Sequence, residues 1–452
     1  DSLEIDDRNM YALVEPGVIY AHLQAEAMKK DLHTMLPSGG GGVGVIANQL
    51  SYGVGPLCYR ITTSSVRRMN GVEWVTPEGE IVRIGSLVNG DDSGYWHGGL
   101  GPSLLGLLKG HSSWSGSMGV VTKMAFKLYP FQPQRLEPEG VGCNTCVKLP
   151  SRMRWYNINF PDEEALQRTI REIAKTQIAA YVNRVPAYMR EISRCRGNAE
   201  FRNMFWQSWS QLSPEAVGAI HVLRVLLIGY ASQKQLEYEE RVLMDIVNEN
   251  GGTPLRTRQS DEACFLYACA PDVWMATGSQ LLFTIGYESL RCIFQTGQEF
   301  QRRWTEEYKE DALDQYSEPP WYMPVELGRI AYSECDGYYD TGRLEPDSPQ
   351  FDYDLLQRSH QFTQSVMATI EATIGWPGGA STHTRCSYTS DAVYHNAPGW
   401  VERFQKEFNP KGLSNTGFPY FGDKLATVFP RMITDEVKNT VKRVKEAKWR
   451  GL

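Results

Sequence analysis

Five glycines and one proline fall within the nine residues Leu36-Pro37-Ser38-Gly39-Gly40-Gly41-Gly42-Val43-Gly44, and this stretch constrains the chain more than any other. A flexible linker of that glycine content is polar and repetitive. This one runs directly into Val45-Ile46-Ala47, so its backbone is being brought close to something. Glycine lacks the Cβ that would keep main-chain N–H groups away from a ligand, and such loops hold phosphates through those groups. The loop is not a Rossmann site, because no GxGxxG lies between a strand and a helix with an acidic residue about 20 positions on.

At 452 residues the chain exceeds what one hydrophobic core usually supports, which predicts two folding units. Hydrophobic residues at 42% and charged residues at 22% are enough for packed cores throughout. A formal charge of −7, without a long Lys/Arg run, excludes nucleic acid as an expected partner. The longest apolar run, Val217 to Tyr230, is interrupted by His221 and Arg224 and falls short of a membrane span. The 9 cysteines form an odd set without framework spacing, which favours a reducing, cytoplasmic compartment. Cys143 and Cys146 make one CxxC with no second pair of ligands, so no metal is expected.

Local patterns predict a strand over Asn9 to Glu15, a Pro16-Gly17 turn and a helix from Val18 to Lys30 with Leu23 and Ala27 inward. Gly71 to Ile84 reads as a hairpin around Pro77-Glu78-Gly79. Leu104 to Leu108 reads as a short helix, and Gly119 to Leu128 as an alternating strand. Pro130 to Pro150 is a plausible crossing between domains. Beyond it come a strand at Trp155 to Phe160, a helix at Asp162 to Lys175 and a buried strand at Ile220 to Tyr230. Helices follow at Gln233 to Asn250, Phe351 to Ile374 and Thr434 to Lys448, and the stretch from Trp400 onward is compositionally distinct. The fold class is α+β, with helices on one side of a sheet.

Four ordered segments carry a resemblance. They are Val14-Glu15-Pro16-Gly17-Val18; the glycine loop through Asn48 to Gly53-Val54-Gly55; the hairpin Gly71 to Glu80; and Gly101-Pro102 to Leu108 with Met118-Gly119-Val120-Val121-Thr122-Lys123. Together they resemble the FAD-binding domain of the vanillyl-alcohol oxidase and para-cresol methylhydroxylase (PCMH) superfamily, which also includes glycolate oxidase and D-lactate dehydrogenase flavoprotein subunits. Phe408-Asn409-Pro410-Lys411-Gly412-Leu413-Ser414-Asn415 resembles that family's return segment. The resemblance implies a PCMH-type FAD-binding domain plus an α+β cap domain with an antiparallel sheet. It divides the chain into residues 1–130 of the FAD domain, a cap over 131–398 and a return over 399–452. It also implies that a front subdomain with a second pyrophosphate loop is missing ahead of Asp1. FAD is the implied cofactor, held by Pro37, Ser38, Gly39, Gly40, Gly41, Gly42, Val43, Asn48, Gly53, Gly55, His97, Gly119, Val120, Val121 and Asn415.

On the substrate side, dehydrogenation needs a base for a hydroxyl proton. Two stretches offer groups: Thr382-His383-Thr384-Arg385, with Arg385 suited to a carboxylate and His383 to the proton, and Glu326 to Asp336, which alternates apolar and polar like a strand bordering a pocket and carries Tyr332, Glu334 and Arg329. Phenol-oxidising relatives carry a Tyr-Arg pair before the return segment and an Asp close behind a tyrosine after the glycine loop. Here no adjacent Tyr-Arg occurs, and Tyr59 is followed by Arg60-Ile61. The expectation is hydride removal from an alcohol carbon of a 2-hydroxy acid or related carboxylate. The rivals are a para-alkylphenol or aromatic alcohol oxidase and an FAD-holding electron-transfer subunit. The expected partners are a small-molecule substrate and an electron-accepting protein or complex subunit, in an oligomer.

Overall fold

The computed structural model describes residues 2–34, 41–50, 59–60, 68–85, 102–109, 118–131, 138–139, 146–185, 219–257, 259, 280–307, 321–325, 327–338, 343, 347–355, 397–414, 435, 439 and 442.

The first sheet contains β1 (Leu3–Asp6), β2 (Tyr11–Val14), β3 (Met69–Val75), β4 (Ile81–Ile84) and β5 (Val120–Lys127), in the order β1-β2-β5-β3-β4, with antiparallel neighbours. β2 is buried on both faces: Tyr11 and Leu13 pack on Ala125, while Ala12 and Val14 enter the larger core. After β2 the chain turns at Gly17, whose φ of 95° suits glycine, into α1 (Tyr20–Met28). α1 buries Tyr20, Leu23, Gln24 and Ala27, the face that helical spacing predicts. The β3–β4 turn closes with Glu80 accepting from the Thr76 amide at 2.8 Å and Gly79 at φ 90°. Two short helices, α2 (Val45–Leu50) and α3 (Leu105–Leu108), pack on this half through Val45, Ile46, Leu105 and Leu108.

The second sheet contains β6 (Met153–Phe160), β7 (Ala179–Arg184), β8 (His221–Ile228), β9 (Thr253–Leu255), β10 (Gln280–Glu288), β11 (Trp321–Val325) and β12 (Ile330–Tyr338). Their order is β9-β6-β8-β7-β11-β12-β10, again antiparallel. One face carries Tyr156, Ile158, Phe160, Val182, Leu223, Val225 and Leu227. These pack against α4 (Glu163–Thr176), α5 (Gln233–Glu249) and α6 (Leu290–Glu307). α4 begins where Asp162 accepts from the Ala165 amide at 2.7 Å and stops at Gln177 in the left-handed region. Ser232 caps α5 in the same way, through the Gln235 amide at 3.2 Å. Helices on one side of a sheet are what the sequence predicts.

Successive strand residues point to opposite faces. The other face therefore carries Met153, Trp155, Tyr181, Leu226 and Ile228, which share a single core with Val14, Leu23, Val45, Val72 and Phe126 of the first half. Both faces of β8 are covered, which is why its sequence is nearly continuous in apolar residues. α7 (Ala397–Phe408) follows, and its Phe408 packs on the same shared core. Sequence patterns pointed to β6, β8, α4, α5 and, through the alternation over Glu326 to Asp336, β12, but gave no reading of β7, β10, β11 or α6. Of the helix expected over Phe351 to Ile374, the described part is helical at 353–355; the helix expected over Thr434 to Lys448 lies outside the described residues but for 435, 439 and 442.

Candidate functional site

The described end of the glycine loop is tied to α1 by main chain. Val43 and Gly41 carbonyls accept from the Tyr20 and Ala21 amides at 3.0 and 2.9 Å, and the Val45 amide donates to the Val18 carbonyl at 2.9 Å. Amides of the first turn of α1 are thus used by the loop itself, so this helix end is a clamp on the loop. A Cβ at Gly42 would meet no atom within 4 Å, and one at Gly44 only the Ala47 Cβ at 3.8 Å. Neither residue has a positive φ. Turn geometry and protein packing therefore give no reason for glycine at 42 or 44, whereas a closely approaching cofactor does; the residues present fit a dinucleotide. Asn48 serves the same corner: its carbonyl oxygen accepts from the buried Tyr20 hydroxyl at 3.2 Å and from Gln49 at 3.3 Å.

Gly119 is glycine for a different reason. Its φ is 104°, and a Cβ would lie 2.1 Å from the Val75 carbonyl oxygen. Its amide donates to the Ser414 hydroxyl at 3.0 Å, and Lys411 pairs with Glu78 at 3.1 Å, so residues 409–414 lie against the first sheet. Val120 is exposed and Val121 is buried in the core. Pro37, Ser38, Gly39, Gly40, Gly53, Gly55, His97, Asn415, His383 and Arg385 lie outside the described residues.

The seven-stranded sheet supplies a polar surface that sequence reasoning missed. On the face turned toward the first half, Trp155, Leu226 and Tyr181 stand in one cross-strand row within the shared core. Two positions further along each strand, the next row is Asn157, Arg224 and Asn183, which are 5%, 2% and 0% exposed. Neither side-chain polar atom of Asn183 has a hydrogen-bond partner. The signal in the sequence was Arg224 itself, a charge interrupting an apolar run. On the same face Met323 stands opposite Tyr332, whose ring meets Trp321 edge-on at 6.1 Å. Tyr332 is buried, and Glu334 pairs in register with Trp321 and Thr284. Arg329 does not join them: it is exposed, in a turn with Leu327 and Gly328 at positive φ.

The opposite face holds a separate buried charge. Glu163 accepts from Arg184 at 3.1 Å and from the Tyr322 hydroxyl at 2.6 Å, with Gln167 at 3.1 Å and the His221 ring at 3.4 Å. Burial pushes its carboxyl upward, but the Arg184 charge and those hydrogen bonds outweigh it and leave it below the usual carboxylate range. This cluster fixes α4 on the sheet and lies on the helix side. Tyr59 is turned to that side too, its hydroxyl donating to the Ile170 carbonyl at 3.3 Å. Among the described residues, no group of three or more potential metal ligands occurs, and no helix is long and apolar enough to cross a membrane.

Residues 1–85 match the family model described as FAD binding domain. No curated protein matches the sequence. Among solved structures, the chain is similar to p-cresol methylhydroxylase with substrate bound, at TM-score 0.70 and 16% identity, over 94% of this chain and 79% of that one. It is similar to 4-ethylphenol oxidase from Gulosibacter chungangensis in an isoeugenol complex, at TM-score 0.66 and 18% identity, over 94% and 79%. Alkyldihydroxyacetonephosphate synthase follows at TM-score 0.57 and 11% identity, over 92% of this chain and 66% of that one. Residues 1–85 thus resemble an FAD binding domain, the chain has the PCMH-type fold, and its cofactor is FAD.

Proposed function

We propose that this protein is an FAD-dependent oxidoreductase that removes hydride from the alcohol carbon of a 2-hydroxy acid or a related carboxylate. The observation that carries the reading is the change of character along one sheet face. The face turned to the FAD-binding half is apolar where the two halves share a core and becomes polar, while still buried, one row further on. Groups placed there act on a substrate with water excluded, where hydrogen bonds and charges are stronger than in solvent.

In this reading the glycine loop from Pro37 to Val43, with Asn48, Gly53, Gly55, His97, Gly119, Val120, Val121 and Asn415, holds FAD. When bound, FAD accepts hydride at N5. The chain's own residues have the remaining tasks. Tyr332, Glu334 and His383 are of types that take or hold the hydroxyl proton, and Arg385 is of a type that fixes a carboxylate bidentately. Burial of Tyr332 against Trp321 holds its ring in one orientation.

A second reading, oxidation of a para-alkylphenol, draws on the fold shared with p-cresol methylhydroxylase and 4-ethylphenol oxidase. An electron-accepting protein partner belongs to either reading. Mixing the FAD-loaded protein anaerobically with each substrate class tests both. Loss of the oxidised-flavin absorption band with 2-hydroxy acids supports the first reading, and loss with para-alkylphenols alone replaces it with the second.

A further inference from the structure

We infer that the row Asn157, Arg224 and Asn183 is the subsite that recognises the 2-hydroxy-carboxylate end of the substrate, an assignment that rests on the reading above. The three side chains are cross-strand neighbours on the central strands β6, β8 and β7, so they stand about 5 Å apart on one face. All three are at least nine-tenths buried. A buried primary amide with no partner costs free energy and is uncommon in a folded core. Asn183 is such a group: its nitrogen and its oxygen both lack partners.

Arg224, on the face turned toward the first half, has amides as its neighbours on both adjacent strands. A guanidinium stays protonated at all working pH values and presents a fork that matches a carboxylate. An amide offers one donor and one acceptor side by side, whichever way its nitrogen and oxygen are assigned. A 2-hydroxy carboxylate presents the complement, a carboxylate oxygen that accepts and an adjacent hydroxyl that donates. Asn183 would bind both at once, with Arg224 on the carboxylate and Asn157 on its other flank. The row lies two positions beyond Trp155, Leu226 and Tyr181, which border the FAD-binding half. Recognition there places the alcohol carbon on the cofactor side of the cap.

The test uses acids that cannot be oxidised. 2-Hydroxyisobutyrate and 2-hydroxy-2-phenylpropanoate keep the carboxylate and the hydroxyl but have no hydrogen on the alcohol carbon; isobutyrate lacks the hydroxyl. Their binding to the FAD-loaded protein is measured by titration calorimetry for wild type, Asn183→Leu, Asn183→Asp and Arg224→Met. For a hydroxy acid, Asn183→Leu is expected to weaken binding by about ten- to hundredfold, while isobutyrate loses less. Asn183→Asp, which sets a negative charge against the carboxylate, weakens all three, and Arg224→Met abolishes measurable binding. Melting temperature of Asn183→Leu stays at or above wild type, because the amide gives up no hydrogen bond within the protein. Wild-type affinity in Asn183→Leu, or failure of that variant to fold, overturns the assignment. If 2-hydroxy acids reduce the flavin but binding ignores Asn183, the subsite is wrong and the reaction stands. If the inert acids bind through Asn183 but no 2-hydroxy acid reduces the flavin, the subsite stands and the reaction is wrong.

Discussion

Two glycines of the first half stand in different surroundings, and substitution separates them. Gly42 has open space where a Cβ would stand and no positive φ. Gly42→Ala is expected to leave the cofactor-free protein as stable as wild type, because alanine also narrows the unfolded ensemble. FAD retention, measured by equilibrium dialysis, falls by roughly tenfold or more if a methyl group is forced against the cofactor. Gly119→Ala does the reverse, since its Cβ would lie 2.1 Å from the Val75 carbonyl oxygen at a φ of 104°. It is expected to lose at least about 1 kcal/mol in urea unfolding. Glu163 gives the residue-scale test of the cap. Its partners are Arg184, Tyr322, Gln167 and His221, and its carboxyl is held below the usual range. A depressed folded value means that its contribution to stability is full above the unfolded carboxylate value and is lost as pH falls through the folded one. Glu163→Gln leaves the fully buried Arg184 without its carboxylate and is expected to cost about 3–5 kcal/mol near neutral pH. The difference from wild type should shrink in acid; a difference independent of pH would show that the charge is not what matters.

At the scale of elements, legibility followed the strength of local signals. α4 could be read because Asp162 caps it, Glu163 and Glu164 open it, and Leu166, Ile170 and Ile173 repeat at helical spacing. Asp162→Ala is expected to cost about 1 kcal/mol, measured by urea unfolding, through loss of the bond from the Ala165 amide. β11 escaped the reading because Pro324 in Trp-Tyr-Met-Pro-Val argues against a strand. The structure accommodates it because β11 pairs with β7 only at Arg184 and Tyr322, before the proline is reached. FAD as cofactor was legible because glycine density is a local signal. The buried polar row was not, because Asn157, Asn183 and Arg224 are far apart in sequence and meet only through register. Arg329 was expected to join Tyr332 but is carried outward by a turn that no periodicity reveals.

At the scale of the whole molecule, the two sheets are joined by one core, not merely adjoined. Trp155 is nearly fully buried in it, edge-on to Tyr181 at 5.1 Å. Trp155→Ala is expected to cost about 3–5 kcal/mol and to loosen FAD in the same step, because the core it leaves also holds Val45 and Val72. The central claim is that hydride leaves an alcohol carbon on the polar side of that shared core. Stopped-flow reduction of the FAD-loaded protein under anaerobic conditions, with a 2-hydroxy acid carrying either hydrogen or deuterium at C2, tests it most directly. The flavin band should bleach with both, several-fold more slowly with deuterium. Absence of bleaching, or bleaching at equal rates with the two isotopes, would contradict hydride removal from that carbon as the step that reduces the flavin.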